Sequence, residues 1–124
     1  MTIIPNVRCG DMDRSIAFYT GVLDFQLEER WPEVGNPAFA RLRRESDYLY
    51  LSTHGGDGVF GQAVAVIVPR VDPLFDVFRA RGLDPSHKPQ SPVHQGPVDQ
   101  TWGTREFYVD DPDGNTLRFT QLLE

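Results

Sequence analysis

The chain has 124 residues, which suffices for one domain with a core of its own or for two small modules fused in tandem. Its formal net charge of −6 at pH 7 argues against a nucleic-acid partner, because phosphate binding needs clustered Lys and Arg. The one cysteine, Cys9, excludes an internal disulfide and a zinc site built on cysteines. No stretch approaches the roughly 18 consecutive apolar residues of a membrane span. The first residues lack a basic region, so we expect no membrane partner, no signal peptide and a cytoplasmic location.

The first half of the chain predicts the order strand, helix, strand, strand, strand. Residues 2–8 are typical of a short strand, with Pro5 indicating an edge or an arm. Asp11 is a suitable N-cap for a helix over residues 12–22, which carries one apolar stripe. The three strands that follow are predicted at residues 25–31, 39–43 and 48–52.

The second half repeats this order after a Gly-rich connection at residues 55–61, the candidate module boundary. Residues 63–68 are strongly β-branched and predict a strand. Asp72 precedes a helix predicted over residues 73–81, with Pro73 at a favourable first position, and Gly82 is placed to end it.

The last two strands are predicted as a hairpin over residues 105–109 and 116–119. The turn between them reads Asp-Pro-Asp-Gly-Asn, in which each residue type favours a turn for its own physical reason. Leu117 and Phe119 alternate with Arg118, so one side of the hairpin needs a core and the other faces something polar or a ligand.

Two offsets indicate an internal repeat. Asp11 aligns with Asp72 at an offset of 61, and Phe39 aligns with Phe107 at an offset of 68. The difference places seven extra residues in the second half, within the Pro-rich stretch 84–101. The chain therefore predicts one domain of two βαβββ modules, about residues 1–55 and 61–124.

This doubled order resembles the vicinal oxygen chelate superfamily, which includes glyoxalase I, extradiol dioxygenases and bleomycin resistance proteins. The most specific matches are the Asp-Pro-Asp-Gly-Asn turn and Arg-Ser-Ile-Ala-Phe-Tyr-Thr at residues 14–20, followed by Leu-Asp-Phe. The resemblance implies an α+β fold in which each module curls its sheet and the two modules make a concave cleft. One helix covers only one face of a sheet, which leaves the other for a ligand or a partner.

The enzymes of the superfamily hold a divalent ion with His, Glu or Gln on four strands. The matching positions in this chain are Ile4, Tyr50, about Gln62 and Arg118. A guanidinium repels a cation and an isoleucine offers no donor, so we expect no metal, no cofactor and no catalytic residue. A metal-dependent glyoxalase, lyase or dioxygenase remains the alternative, through unorthodox ligands such as His54, Gln62 and Glu106.

Within the superfamily, the bleomycin resistance proteins are the closest match. The similarity includes Ile-Pro before the first helix, Phe-Ala at residue 39, and Trp-Gly at residue 102 followed by Arg-Glu-Phe. It implies a homodimer that swaps its N-terminal strand about Pro5. It also implies that the planar rings of a drug stack between aromatics matching Phe39 and Trp102.

We therefore predict a metal-free protein that sequesters an aromatic antibiotic or toxin in a cleft at a dimer interface. Arg118 has two interpretations: it pairs with a carboxylate of the ligand, helped by Arg41 or Arg43, or it forms a salt bridge with a nearby acid. A module that binds a protein partner on its concave face is a third, weaker hypothesis. The predicted ligand-binding residues are Phe39, Tyr48, Tyr50, Trp102 and Arg118.

Overall fold

The computed structural model describes all residues, 1–124, and shows an α+β protein of two tandem modules. The chain divides into two compact units. The first comprises residues 1–62 with 111–115, and the second comprises residues 63–110 with 116–124. Each unit contains a four-stranded mixed sheet, and the predicted fold class is confirmed. None of the helices combines the length and apolarity needed to cross a membrane.

The first sheet has the strand order β1-β4-β3-β2. β1 runs parallel to β4, and the other neighbours are antiparallel. Alternate side chains of these strands pack with the helix that follows β1, and they form the core of the unit. The strands are β1 (Asn6–Arg8), β2 (Gln26–Trp31), β3 (Phe39–Arg44) and β4 (Asp47–Ser52).

The helix of the first unit begins as its sequence indicates. α1 spans Met12–Ala17, and the Oδ2 of Asp11 accepts the backbone N–H of Arg14 at 2.9 Å, which confirms the predicted cap. A π-helical turn, Phe18–Val22, continues it. There the hydroxyl of Thr20 donates to the carbonyl of Ile16 at 2.7 Å, a side-chain bond of the kind that bends helices.

The N-terminal strand is shorter than predicted. β1 begins at Asn6, and residues 1–5 carry no strand. Pro5 has no N–H to donate to a ladder, although its carbonyl accepts the N–H of Tyr50 at 3.0 Å.

The Asp-Pro-Asp-Gly-Asn turn does more than join two strands, because residues 111–115 belong to the first unit. The buried hydroxyl of Tyr19 donates to Asp111 Oδ2 at 2.8 Å, and Asn115 Oδ1 accepts the N–H of Gly61 at 3.0 Å. Burial and the neighbouring carboxylate of Asp111 raise the pKa of Tyr19 well above its ordinary value, so this hydroxyl stays a donor. Gly114 takes a φ of +80°, which a residue with a Cβ rarely adopts.

The second sheet has the order β5-β8-β7-β6, with β5 parallel to β8. The helix α2 (Val71–Ala80) packs Phe75 and Phe78 against Phe107 and Phe119, with ring centroids 5.1 Å apart for the pairs 75–107 and 78–119. The strands are β5 (Ala63–Ile67), β6 (Val98–Asp99), β7 (Thr104–Asp110) and β8 (Thr116–Leu122).

The helix α2 begins two residues before its predicted start. The helix begins at Val71, so Asp72 lies in its first turn. The carboxylate of Asp72 is held by two bonds from Arg105, at 2.9 and 3.0 Å. Gly82 ends the helix as predicted, with a φ of +113°. The Pro-rich stretch beyond it forms a 3₁₀ turn (Pro85–His87) and the short helix α3 (Pro92–Gln95).

The repeat is present, but one predicted pairing is wrong by a residue. Phe39 lies opposite Ser52, and Glu106 lies opposite Thr120. The counterpart of Phe39 is therefore Glu106, at an offset of 67, and not the fully buried Phe107. Thirteen residues lie between the paired Glu106 and Thr120 and twelve between the paired Phe39 and Ser52, so the second hairpin is one residue longer. The partner strand keeps its predicted offset of 68, so Tyr50 corresponds to Arg118.

Candidate ligand-binding site

Alternation along β1 to β4 turns a regular array of side chains away from the core of the first unit. We call this array the first face. The pairing register arranges it in three rows across the strands. One row holds Arg8, Ser52, Phe39 and Trp31; the next holds Asn6, Tyr50, Arg41 and Glu29; the third holds Tyr48, Arg43 and Gln26.

Three aromatic rings in adjacent positions form the centre of the first face. Trp31 and Phe39 are stacked with centroids 5.8 Å apart and ring planes at 25°, and Phe39 meets Tyr50 edge to face at 4.9 Å. The side chain of Trp31 remains 46% exposed. Aromatic pairs of this geometry are worth about 0.5–1.5 kcal/mol beyond area burial, and a planar ligand gains the same contacts. The three rings are therefore a stacking surface.

The arginines beside these rings are incompletely satisfied. Arg41 is 3.4 Å from Glu29 and lies 5.7 Å from the ring of Tyr48, while Arg8 makes no ion pair and lies 4.8 Å from the ring of Phe60. The Nε atoms of Arg8 and Arg41 and the Oδ1 of Asn6 are buried without a hydrogen-bond partner. Leaving such a group unpaired costs about 1–3 kcal/mol. The first face thus carries hydrogen-bonding capacity that the chain itself does not use.

The corresponding array of the second unit, which we call the second face, is organised around Glu106. This carboxylate is 2% exposed and accepts bonds from the hydroxyl of Thr104, from Trp102 Nε1 at 2.9 Å and from Arg118 Nη2 at 3.0 Å. Burial alone would raise the pKa of Glu106, but these hydrogen bonds outweigh it and hold the pKa below its ordinary value. Glu106 is therefore an anion fixed by its own neighbours.

Trp102 and Arg118 are both positioned by that carboxylate. The indole N–H of Trp102 is used, but the side chain stays 59% exposed, so the ring is held in place with surface to offer. Arg118 lies 5.0 Å from the ring of Tyr108 and forms the salt bridge that was one of its two interpretations. Sequence reasoning did not name Glu106 as its partner, although Glu106 and Arg118 lie on adjacent strands of the predicted hairpin.

A second polar cluster in the second unit surrounds Asp110. Its carboxylate contacts Lys88 Nζ at 2.7 Å, His94 Nε2 at 3.0 Å and the hydroxyl of Thr116 at 2.8 Å. Burial would raise the pKa of Asp110, but these three partners keep it below the ordinary value. The other ring nitrogen of His94 is 2.8 Å from the hydroxyl of Ser91. His94 is thus locally bonded, and the cavity beside it measures only about 50 Å³.

The positions that the resemblance assigns to metal ligands do not suit a divalent ion here. Tyr50 belongs to the aromatic cluster, and Arg118 is bound to Glu106. The Oε1 of Gln62 accepts the backbone N–H of Arg8 at 3.2 Å, and Ile4 has no donor atom. His, Cys, Asp and Glu side chains form no group of three or more that could hold a metal ion. We derive no metal-dependent step from these residues.

A family model for the glyoxalase/bleomycin resistance protein/dioxygenase superfamily matches residues 4–119. The chain belongs to this superfamily. No curated protein sequence matches it.

Three solved structures illustrate the likeness. A superfamily protein from Nocardioides is 25% identical with a TM-score of 0.70, over 100% of this chain and 85% of that one. The bleomycin resistance determinant of transposon Tn5 is 20% identical with a TM-score of 0.74, over 98% of each chain. The bleomycin-binding protein of Streptomyces verticillus, solved with copper(II)-bleomycin, is 24% identical with a TM-score of 0.70. The match covers 98% of this chain and 95% of that one. The last two likenesses show the fold alone.

The structure distributes the predicted ligand-binding residues over both units. Phe39, Tyr48 and Tyr50 lie on the first face, and Trp102 and Arg118 are joined through Glu106 in the second unit. Trp31, which stacks on Phe39, was not among the predicted residues. The sequence signal that could have included it is that Trp31 ends one predicted strand and Phe39 begins the next.

Proposed function

We propose that the protein is a metal-free binding protein of the cytoplasm that captures a planar aromatic molecule, such as an antibiotic or a toxin, by stacking. The chain acts as a single two-module domain, and two chains share each ligand cleft. Capture is stoichiometric, so no residue has a catalytic role. The ligand contacts are Phe39, Tyr48, Tyr50, Trp102 and Arg118, with Trp31 added.

The observation that carries this proposal is the cluster of Trp31, Phe39 and Tyr50 on the first face. A core residue would be buried, but Trp31 is 46% exposed. An exposed ring stacked on its neighbour is what a binding site for a planar ligand needs. Trp102 supports it independently, because its N–H is anchored while its ring is exposed. The names of the Tn5 and Streptomyces verticillus structures supply an example of such a ligand in bleomycin.

The N-terminal residues support a dimer. Ile3 is 86% exposed, so this apolar side chain lacks a packing site within its own chain. In a swapped dimer, rotation at Pro5 would carry residues 1–4, which belong to no strand of their own chain, onto the partner subunit. Sedimentation velocity would then report a dimer, and Pro5→Gly would change the rate at which chains exchange.

The test is a fluorescence titration in excess EDTA with bleomycin and with small planar aromatic compounds. We expect saturable quenching at one ligand per chain for wild type. Phe39→Ala should weaken binding roughly tenfold, the loss of one or two aromatic contacts. Trp31→Phe and Trp102→Phe report which indole is quenched, because these are the two tryptophans of the chain.

A control variant separates loss of the site from loss of the fold. Val77→Ala truncates a side chain that is 46% exposed on α2, outside the proposed contacts, and should bind as wild type does. Binding that appears only after Ni²⁺, Zn²⁺ or Mn²⁺ is added, with a raised melting temperature and turnover of methylglyoxal and glutathione, would contradict the proposal and favour an enzyme.

A further inference from the structure

We propose that the first face selects planar aromatic ligands that carry a carboxylate, with Arg8 and Arg41 as the partners of the anion. This inference rests on the proposed function, and it names the charge class of the ligand. It is argued from cationic side chains of this chain.

The first observation is where the unpaired polar atoms lie. Four buried side-chain N or O atoms lack a hydrogen-bond partner in the whole chain. Three of them, on Asn6, Arg8 and Arg41, occupy the two rows of the first face that also contain Phe39 and Tyr50. Two of the three are guanidinium N–H donors. A ligand that brings an acceptor with two oxygens lets these arginines turn toward it and form charge-assisted bonds.

The second observation is that the other arginines beside the aromatic residues are already neutralised. Arg118 forms two bonds with the buried Glu106, and Arg43 pairs with Glu28 at 3.0 Å. Arg41 has only a 3.4 Å contact to Glu29, and its side chain is 34% exposed. Arg8 has no carboxylate partner, and its neighbour is the ring of Phe60. The charge of Arg8, and most of that of Arg41, is available to a ligand.

The third observation is the position of these two arginines around the stacking surface. In the register, Arg8 lies in the row of Phe39, two strands away, while Arg41 lies next to Tyr50 and two residues beyond Phe39 on β3. An anionic group at either edge of a stacked ring therefore meets a guanidinium. The net charge of −6 does not oppose this locally, because exposed charges beyond about 10 Å are largely screened at 0.1 M salt.

The experiment compares three naphthalene probes of nearly equal size in excess EDTA: 2-naphthoate, 2-naphthylmethanol and 2-naphthylmethylammonium. We expect 2-naphthoate to bind at least tenfold more tightly than the ammonium, which is the scale of one charge-assisted hydrogen bond. Arg8→Gln and Arg41→Gln should each reduce that preference severalfold, and the double variant should abolish it while the neutral alcohol binds as before. Arg70→Gln, an exposed arginine of the second unit, removes the same charge and should leave the preference unchanged.

The outcomes separate this inference from the proposed function. If the ammonium or bleomycin binds more tightly than 2-naphthoate, this inference is overturned and aromatic capture stands. The same holds if the preference for 2-naphthoate survives in the double variant. If neither the probes nor bleomycin binds without metal, both fail. Thermal melting of each variant shows that it is folded before binding is compared.

Discussion

The two faces of this protein are built on corresponding strand positions, but the side chains at those positions have opposite roles. Phe39 and Glu106 correspond in the repeat, as do Tyr50 and Arg118. The first face has stacked rings and three buried polar atoms without partners, whereas all four unpaired atoms of the chain lie outside the second unit. The second face binds its charged groups to one another. The first face therefore leaves polar groups free for a ligand, whereas the second face uses Glu106 to hold Trp102 and Arg118 in position.

The largest difference between the faces is expected in stability. Glu106→Ala removes a buried acceptor that satisfies Thr104, Trp102 and Arg118, and we expect it to lower the free energy of unfolding by about 2–4 kcal/mol. Phe39→Ala, at the corresponding position, should cost less because Phe39 is only partly buried. Urea denaturation of both variants measures the difference. A greater loss of unfolding free energy for Phe39→Ala than for Glu106→Ala would contradict this difference between the two faces.

Ligand affinity should be more sensitive to substitutions on the first face than to substitutions on the second face. Trp31→Ala removes the stacking partner of Phe39 and should weaken binding of a planar ligand by roughly three- to tenfold, with little loss of stability. The matched control is Tyr108→Ala, which removes the ring beside Arg118 on the second face. Isothermal titration calorimetry measures the affinity of both variants for the planar ligand. Equal losses of affinity would mean that the faces do not differ as stacking surfaces.

The pH dependence of stability sharpens the account of the second face. The folded pKa of Glu106 is lowered, so the unfolded chain takes up the proton first as pH falls. The stabilisation by this carboxylate is complete above its ordinary pKa of about 4.5 and is lost as pH falls through the folded value. We expect the free energy of unfolding to decline over that range.

Glu106→Gln is the control for this pH effect, and it should make the decline shallower. Asp110, whose pKa is also lowered, contributes with the same sign, so some decline remains in the variant. Acid denaturation followed by circular dichroism measures both slopes. Identical slopes would show that Glu106 is not the anion described here.

The smallest loss of stability is expected for removal of Arg105, which pairs with two exposed carboxylates. Arg105 joins Asp72 in α2 to Asp99 in β6, but the two carboxylates are 51% and 64% exposed. Ion pairs of this kind contribute about 0.2–1 kcal/mol. Arg105→Ala should therefore cost less than 1 kcal/mol in urea denaturation, and the cost should shrink in 1 M NaCl. A larger loss that salt does not change would point to packing by the stem of Arg105.

The parts of this structure that were predictable from the sequence depend on local signals. Asp11 caps α1 through Arg14, three residues along, and Asp111 Oδ1 accepts the backbone N–H of Asp113 within the Asp-Pro-Asp-Gly-Asn turn. Helix α2 begins two residues before its predicted start, and Asp72 in its first turn is bound by Arg105, 33 residues away. A partner so distant along the chain is not visible in a window of sequence.

The same limit applied to the candidate site. The alternation of β7 and β8 placed Arg118 on a ligand-facing side, but its pairing with Glu106 depends on the register between strands, which a one-residue difference in hairpin length alters. The unpaired Nε atoms of Arg8 and Arg41 depend on burial by neighbouring strands. Residue types and alternation predicted which positions matter, and only the assembled sheet shows which of them are satisfied.

The most direct test of metal-free capture on the first face is a ¹H–¹⁵N correlation spectrum of the labelled protein. It would be titrated in excess EDTA with the tightest-binding naphthalene probe. The two indole N–H signals are natural reporters, because Trp31 lies on the first face and Trp102 is bonded to Glu106 in the second unit. We predict large shifts of the Trp31 indole and of the amides of Phe39, Arg41 and Tyr50, together with a shift of the Trp102 indole, whose exposed ring is also a proposed contact. Shifts confined to the second unit, or shifts that require added Zn²⁺, would contradict the account.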